Sequence, residues 1–272
     1  MKHHNISKIF DLKNKTIILT GSAGRLGSRF AHVLSNAQAN VILVDIEQTK
    51  NKKLEKKINS SYHTNSLSMN IDITKEDQVK KLVDVVIKKY NKIDVLINNA
   101  HILLRDHPQR DASFENYPLD LWEKMTSENL RAVFLCSREV GKIMVKQKHG
   151  VILNISSIYG IRGADQRIYG KSHLNSPPTY AITKGGIVNF SRYLAAYWQR
   201  KNIRVNTLTL GGVYDKKLHQ NKEFVMNYSN KTMLGRMANT SDFDGAILFL
   251  VSDASSYVTG SNVIIDGGWS AW

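Results

Sequence analysis

One pattern constrains this chain more than any other. Short apolar runs rich in β-branched residues alternate with stretches whose apolar residues recur at helical spacing. The first run, Thr16-Ile-Ile-Leu-Thr20, reads as a strand, and Leu26, Phe30, Val33 and Leu34 after it mark one face of a helix. Val41-Ile-Leu-Val44 is a second strand ending at Asp45. The distance from Thr20 to Asp45 is that of a βαβ unit, so the two strands are expected to run parallel. Val79, Leu82, Val83, Val86 and Tyr90 line a further helix before a strand at Ile93 to Ile97. Helices then follow over Leu121 to Lys146, Thr179 to about Arg200 and Asp242 to Val251, interleaved with strands over Val151 to Ile155, Ile203 to Leu208 and Asn262 to Ile265. Strands apolar on both faces belong inside a sheet covered on both sides. With the apolar segment before Asp72 counted as a further strand, the expectation is a single doubly wound α/β domain over residues 1–272, with a mostly parallel seven-stranded sheet. No repeat or low-complexity linker divides it, and residues 160–178 and 210–231 read as loops folding over the carboxyl ends of the strands.

Composition narrows the function classes. A chain of 272 residues can bury one substantial core, and 42% hydrophobic with 22% charged residues is ordinary for a soluble globular protein. The single cysteine, Cys136, excludes an intramolecular disulfide and a cysteine-based metal cluster, and fits a reducing compartment. Met1 to Lys15 has no apolar stretch of signal-peptide length, and no run approaches the ~20 apolar residues of a membrane span, so a cytoplasmic location without a membrane partner is expected. The formal charge of +15 raises a nucleic-acid reading. The basic runs Lys50 to Lys57 and Lys88 to Lys92 lie at the ends of helical patterns, where solvated helix surface explains them better, so no nucleic-acid partner is expected. A field of this sign also attracts an anionic small substrate.

Between the first strand and its helix stands Thr20-Gly21-Ser22-Ala23-Gly24-Arg25-Leu26-Gly27. Glycines in that position let a backbone approach a pyrophosphate, which the amino terminus of the following helix attracts. A glycine pattern alone is equally a tight turn; its strand-turn-helix setting favours a dinucleotide. Asp45, ending the second strand, is placed to accept both hydroxyls of an adenosine ribose, and a 2′-phosphate beside it would pay a like-charge cost. NAD is therefore the expected cofactor and NADP is disfavoured. As a turn or capping aspartate Asp45 would need no ligand, and Asp72, followed by Ile73, has the same double reading as turn residue or adenine contact. Tyr180 and Lys184 stand at i and i+4 near the start of a predicted helix, hence on one face. A phenol with a pKa near 10 is a poor base at neutral pH, and an adjacent ammonium stabilises its phenolate.

These features stand in a fixed order: the glycine turn, Asn98-Asn99-Ala100 after a strand, Ser156-Ser157 after another, then Tyr180 and Lys184. With the closing Asp253 to Gly260 segment and Asp266-Gly267-Gly268, the chain resembles the short-chain dehydrogenase/reductases from about Leu12 to Trp269. The resemblance implies a Rossmann-type fold and hydride transfer between nicotinamide and a carbonyl or secondary alcohol. It implies that Tyr180 is the general acid/base, that Lys184 lowers its pKa and holds the nicotinamide ribose, that Ser157 rather than Ser156 hydrogen-bonds the reacting oxygen, and that Asn129 is a relay asparagine. Gly21, Ser22, Gly24, Arg25, Leu26, Gly27, Asp45, Asp72, Ile73, Asn99, Ala100, Gly211 and Val213 are implied in cofactor binding, Val213 through its backbone toward the carboxamide. A homo-oligomer, tetramer or dimer, is implied as well, with the long helices and the carboxyl-terminal segment as interfaces.

The chain departs from the family pattern at four places: Arg25 replaces the middle glycine of the turn, His101 follows Asn98-Asn99-Ala100 in place of glycine, Leu210 precedes Gly211 in place of proline, and Asp215 stands where threonine is usual. The separation of Ser157 from Tyr180 is longer than is common, which enlarges a loop at the substrate mouth and offers Arg167, Tyr169 and His173 as contacts for a polar substrate. His101, His107 and His173 lack metal-ligand spacing, and no metal is expected. Ser176-Pro-Pro-Thr-Tyr180 and Gly211-Gly-Val-Tyr-Asp215 are similar to family members of bacterial surface-sugar and flagellin-glycan synthesis, which points to a phosphorylated or nucleotide-linked sugar. A 3-oxoacyl or other hydroxy-compound reductase is the alternative within the enzyme class. A catalytically silent, cofactor-sensing or nucleic-acid-binding protein is the rival from another class; it has no need of Ser157, Tyr180 and Lys184 together.

Overall fold

The computed structural model describes residues 6–104, 107–172, 174–216 and 221–272. Its strands are β1 (Thr16–Thr20), β2 (Asn40–Asp45), β3 (Leu67–Asn70), β4 (Val95–Asn98), β5 (Gly150–Ser157), β6 (Ile203–Leu210) and β7 (Asn262–Ile265). They pair in the order β3-β2-β1-β4-β5-β6-β7, and every pairing is parallel, so the sheet is wholly rather than mostly parallel. The order reverses between β1 and β4. Loops leaving those two strands diverge to opposite sides, and the crevice between them is where open α/β sheets bind ligands.

Alternate side chains of each strand enter different cores. Ile17, Leu19, Val41, Leu43, Val151 and Leu153 pack with Phe30 and Leu34 of α2 (Arg25–Asn36) and with Phe243, Ile247 and Leu250 at α8 (Asp244–Val251). On the other face Ile18, Ile42, Leu96, Ile152 and Val205 pack against α4 (Glu76–Tyr90), α5 (Leu119–Gln147) and α6 (Pro178–Tyr197). Burial on both faces is why these strands read as unbroken apolar runs. Before β1 lies the short α1 (Ile6–Ile9). No helix of the described residues is long and apolar enough to cross a membrane.

Two elements escape the periodicity. Helix α3 (Gln48–Tyr62) buries only Asn51, Leu54 and Ile58, so the basic run Lys50 to Lys57 lies within a helix rather than at the end of one. The segment read as a loop from 210 to 231 contains α7 (Lys222–Asn230), capped by Asn221, whose side-chain oxygen accepts from Glu223 N at 2.9 Å and Phe224 N at 3.2 Å. Among the described residues of loop 160–178 lies a short 3-10 turn, Gln166–Tyr169, after the turn that follows β5.

Candidate active site

The turn after β1 is built so that only glycine fits. Gly21 has φ +66°, and a Cβ there would meet Ala100 Cα at 2.8 Å; a Cβ on Gly27 would stand 2.0 Å from the Gly21 carbonyl oxygen. The backbone is therefore drawn in at the amino terminus of α2, leaving a cradle of N–H groups for an anion. Three neighbours hold it. Asn99 Nδ2 donates to Thr20 O at 2.9 Å, Ser22 Oγ donates to Asn51 Oδ1 at 2.7 Å, and Asp45 Oδ2 accepts from Ala23 N at 2.9 Å. The Ser22 hydroxyl is thus committed to the interior, and Asn51 is a buried brace that apolar periodicity could not reveal. Asp45 acts as a turn residue, its second oxygen accepting from Glu47 N at 2.9 Å, and it ends β2 at its carboxyl end. Asp72 caps its own turn through one oxygen, Oδ1, which accepts from Thr74 N and Oγ1 at 2.9 and 2.7 Å, and Ile73 packs against the core.

Tyr180 and Lys184 lie in the first turns of α6, which enters through Pro177 and Pro178. Lys184 is 4% exposed; its Nζ donates to the Ile155 carbonyl at 3.0 Å and stands 5.9 Å from the centre of the Tyr180 ring. Burial pulls its ammonium down to about 8. Ser157, at the end of β5, accepts from Tyr159 N at 3.3 Å, whereas the Ser156 hydroxyl donates to the Lys184 carbonyl at 2.9 Å and so anchors α6 to the sheet. Asn129 on α5 is fully engaged: it accepts from Ile102 N at 2.8 Å and donates to the carbonyls of Ile102 and Met125 at 3.0 and 2.8 Å. It pins the segment after β4 that carries His101.

One cavity of about 610 Å³ is lined by Arg25, Leu26 and Asn99, by Ser157, Tyr180 and Lys184, and by Gly211 to Val213. Gly211 is itself held close, its N–H donating to Ile265 O at 2.9 Å. Tyr159, Tyr169, Phe224 and Tyr228 add aromatic rings to its lining. Burial raises the phenols of Tyr159, Tyr169 and Tyr228, which keeps them protonated, while Tyr180 is the tyrosine placed one turn from an ammonium. His101 packs edge-on against Tyr180 with ring centres 5.1 Å apart, and its Nε2 is buried without a hydrogen-bond partner. Of the loop contacts expected from the sequence, Tyr169 lines the cavity. Arg167 does not: its side chain is 83% exposed and forks onto Asp165. His173 lies outside the described residues. No cluster of metal-ligating side chains occurs among the described residues.

Residues 21–270 match the family described as enoyl-(acyl carrier protein) reductase. The chain belongs to the short-chain dehydrogenase/reductases. It is an oxidoreductase acting on hydroxyl or carbonyl compounds. It is 30% identical to the post-translational flagellin modification protein A of Campylobacter coli over 95% of this chain and 99% of that protein. With the 3-oxoacyl-[acyl-carrier-protein] reductase FabG of Thermotoga maritima it shares 32% over 94% and 98%. The crystal structure of a short chain dehydrogenase from Leptospira borgpetersenii with bound NAD+ superposes with a TM-score of 0.83 at 34% identity, covering 99% of this chain and 97% of that one.

Within this short-chain dehydrogenase/reductase, two of the departures from the family pattern meet. The Arg25 guanidinium meets Asp215 Oδ2 at 3.0 Å, and also donates to the carbonyls of Val213 and Tyr214, both at 2.9 Å. Asp215 has become the partner of the arginine that replaced glycine. Neither residue alone signals this, because they are far apart in the sequence.

Proposed function

We propose that the protein transfers a hydride between NAD and a secondary alcohol or ketone of a phosphorylated or nucleotide-linked sugar. The observation that carries the reaction type is the opening of Ser157, Tyr180 and Lys184 into the same cavity that the glycine turn enters. NAD would lie with its pyrophosphate on the turn of Gly21, Gly24, Arg25, Leu26 and Gly27, its adenosine ribose at Asp45, and its nicotinamide half along Asn99, Ala100, Gly211 and Val213. When bound, it supplies the hydride acceptor or donor. Tyr180 moves the proton: as phenolate it takes the proton of an alcohol undergoing oxidation, and as phenol it returns one to the oxygen of a ketone undergoing reduction. Lys184 favours the phenolate by its charge, and Ser157 donates to the reacting oxygen, where charge develops. Asn129 keeps the segment after β4 in place.

Asp45 supports NAD over NADP, since a second anion beside its carboxylate is unfavourable by more than the ~1.4 kcal/mol of a tenfold preference. Protonated phenols and the neutral His101 imidazole suit a polyhydroxylated substrate, the excess of basic residues suits an anionic one, and the C. coli relative is by name a flagellin modification protein. The T. maritima relative and the apolar wall of Ile168, Leu174 and Met237 favour a second reading, a 3-oxoacyl or other hydroxy-compound reductase. For assembly we propose a homo-oligomer through α5 and α6, on which Leu130, Phe134, Ile182, Tyr193 and Tyr197 are exposed. The deciding experiment is turnover of NAD with a panel of sugar phosphates, nucleotide sugars and 3-hydroxyacyl thioesters, with Tyr180→Phe as control. Undiminished turnover by that variant would remove Tyr180 as the acid/base.

A further inference from the structure

We infer that Arg25 is a positioning residue for the reactive half of the cofactor, acting through segment 213–215 rather than as an anion ligand of the turn. The inference rests on the dinucleotide reading above. Arg25 is the first residue of α2, beside the cradle of N–H groups, so a cation there would ordinarily be read as a phosphate contact. Its guanidinium is oriented otherwise. Its terminal nitrogens meet Asp215 Oδ2 and the carbonyls of Val213 and Tyr214 at 2.9 to 3.0 Å. An arginine forked over a carboxylate and two carbonyls has its geometry set and much of its charge neutralised. The two side chains are only partly exposed, at 37% for Arg25 and 24% for Asp215.

What the fork holds is a wall of the site. Gly211, Gly212 and Val213 line the same cavity as Tyr180 and Lys184, and Val213 also bridges to Ala238. A dinucleotide with its pyrophosphate on the turn would place its reactive half near this segment, because one cavity is lined by Arg25 and Leu26 of the turn, by Gly211 to Val213 and by Tyr180. Arg25 therefore ties the element that receives the pyrophosphate to the segment that receives the pyridine ring. One turn further along α2, Arg29 makes a second clasp to Asp244, with Nε to Oδ1 at 2.9 Å. Arg29 does not line the cavity, so this pair is a built-in control for mere fastening of α2.

The test compares affinities for NAD and for ADP-ribose, which has the pyrophosphate but no pyridine ring. By titration calorimetry on the full chain, Asp215→Asn and Arg25→Lys are each expected to weaken NAD about tenfold, the size of a lost charged hydrogen bond, with ADP-ribose within about twofold. The double variant should be no weaker than the singles, and Asp244→Asn should leave the ratio of the two affinities unchanged. An arginine acting as anion ligand gives the opposite sign: Asp215→Asn would free its charge, and both ligands would bind more tightly. That result, equal losses for both ligands, or unchanged NAD affinity would overturn the inference. If the unaltered protein binds neither ligand, the dinucleotide reading itself falls, which separates the two failures.

Discussion

The Nζ of Lys184 donates to the Ile155 carbonyl at 3.0 Å, so the end of β5 and the base of the Tyr180 helix are joined by a buried ammonium. Such a group costs stability unless its surroundings compensate, and here burial dominates, bringing its pKa from 10.5 to about 8. In the unfolded chain the same lysine stays protonated to about pH 10.4. Between roughly pH 8 and 10.5 the unfolded state therefore binds more protons than the folded state, and this group's contribution to stability rises with pH across that window.

The expected outcome is that Lys184→Met flattens the rise. Relative to that variant, the unaltered protein should carry a penalty of about 3 kcal/mol below pH 8, shrinking toward zero above pH 10.5, with loss of the Ile155 hydrogen bond offsetting part of it. Denaturant unfolding at stepped pH measures this. Parallel curves for the two proteins would show that the ammonium is not desolvated as described.

Much of this arrangement was legible in the chain itself. β1 and β7 occupy the residues their apolar runs delimit, and the glycine turn lies between strand and helix as its spacing requires. What escaped detection has a common cause. α3 and α7 bury too few apolar residues to print a helical period, and Asn51 serves the turn through a buried hydrogen bond that the spacing of apolar residues does not mark. Arg25 and Asp215 looked like two separate disturbances of cofactor binding. Only the closing of β6 beside β5 and the reach of a guanidinium turn them into a pair.

His101 gives a prediction on the acid side. Burial, and secondarily the charge of Lys184, hold its imidazole well below the ordinary 6.5, so it is neutral in the folded protein while the unfolded chain takes up a proton below that pH. Stability attributable to this residue is present above pH 6.5 and is lost as the pH falls from there toward the folded value. His101→Phe should remove that part of the acid lability. A midpoint that falls equally in both proteins between pH 6.5 and 5 would contradict it.

Asp45 predicts the cofactor preference and a way to change it. Its carboxylate already accepts from Ala23 N and Glu47 N at 2.9 Å, so a neutral isostere retains part of the turn while removing the charge. Asp45→Asn is expected to lower the ratio of NADH to NADPH affinity at least about tenfold, through weaker ribose binding and relief of repulsion on the 2′-phosphate. Fluorescence titration with both nucleotides measures it. Tighter NADPH than NADH binding by the unaltered protein would dispose of the argument for NAD.

The glycine turn allows a ranked prediction, because three glycines differ in what a methyl group would meet. At Gly27 it would stand 2.0 Å from the Gly21 carbonyl oxygen, a contact neither backbone can yield without moving the whole turn; at Gly24 the same oxygen is 3.2 Å away; at Gly163 nothing lies within 4 Å. The Gly21 carbonyl also accepts from Gly24 N and Asn99 Nδ2, both at 3.2 Å, so displacing it disturbs the cradle as well as the packing. Gly27→Ala should destabilise by about 1–3 kcal/mol and abolish nucleotide binding, Gly24→Ala should have a smaller effect on both, and Gly163→Ala should leave both as they were. Thermal unfolding and NADH titration on the three variants give the order. Tolerance of Gly27→Ala with unchanged nucleotide affinity would mean that the pyrophosphate does not depend on this turn.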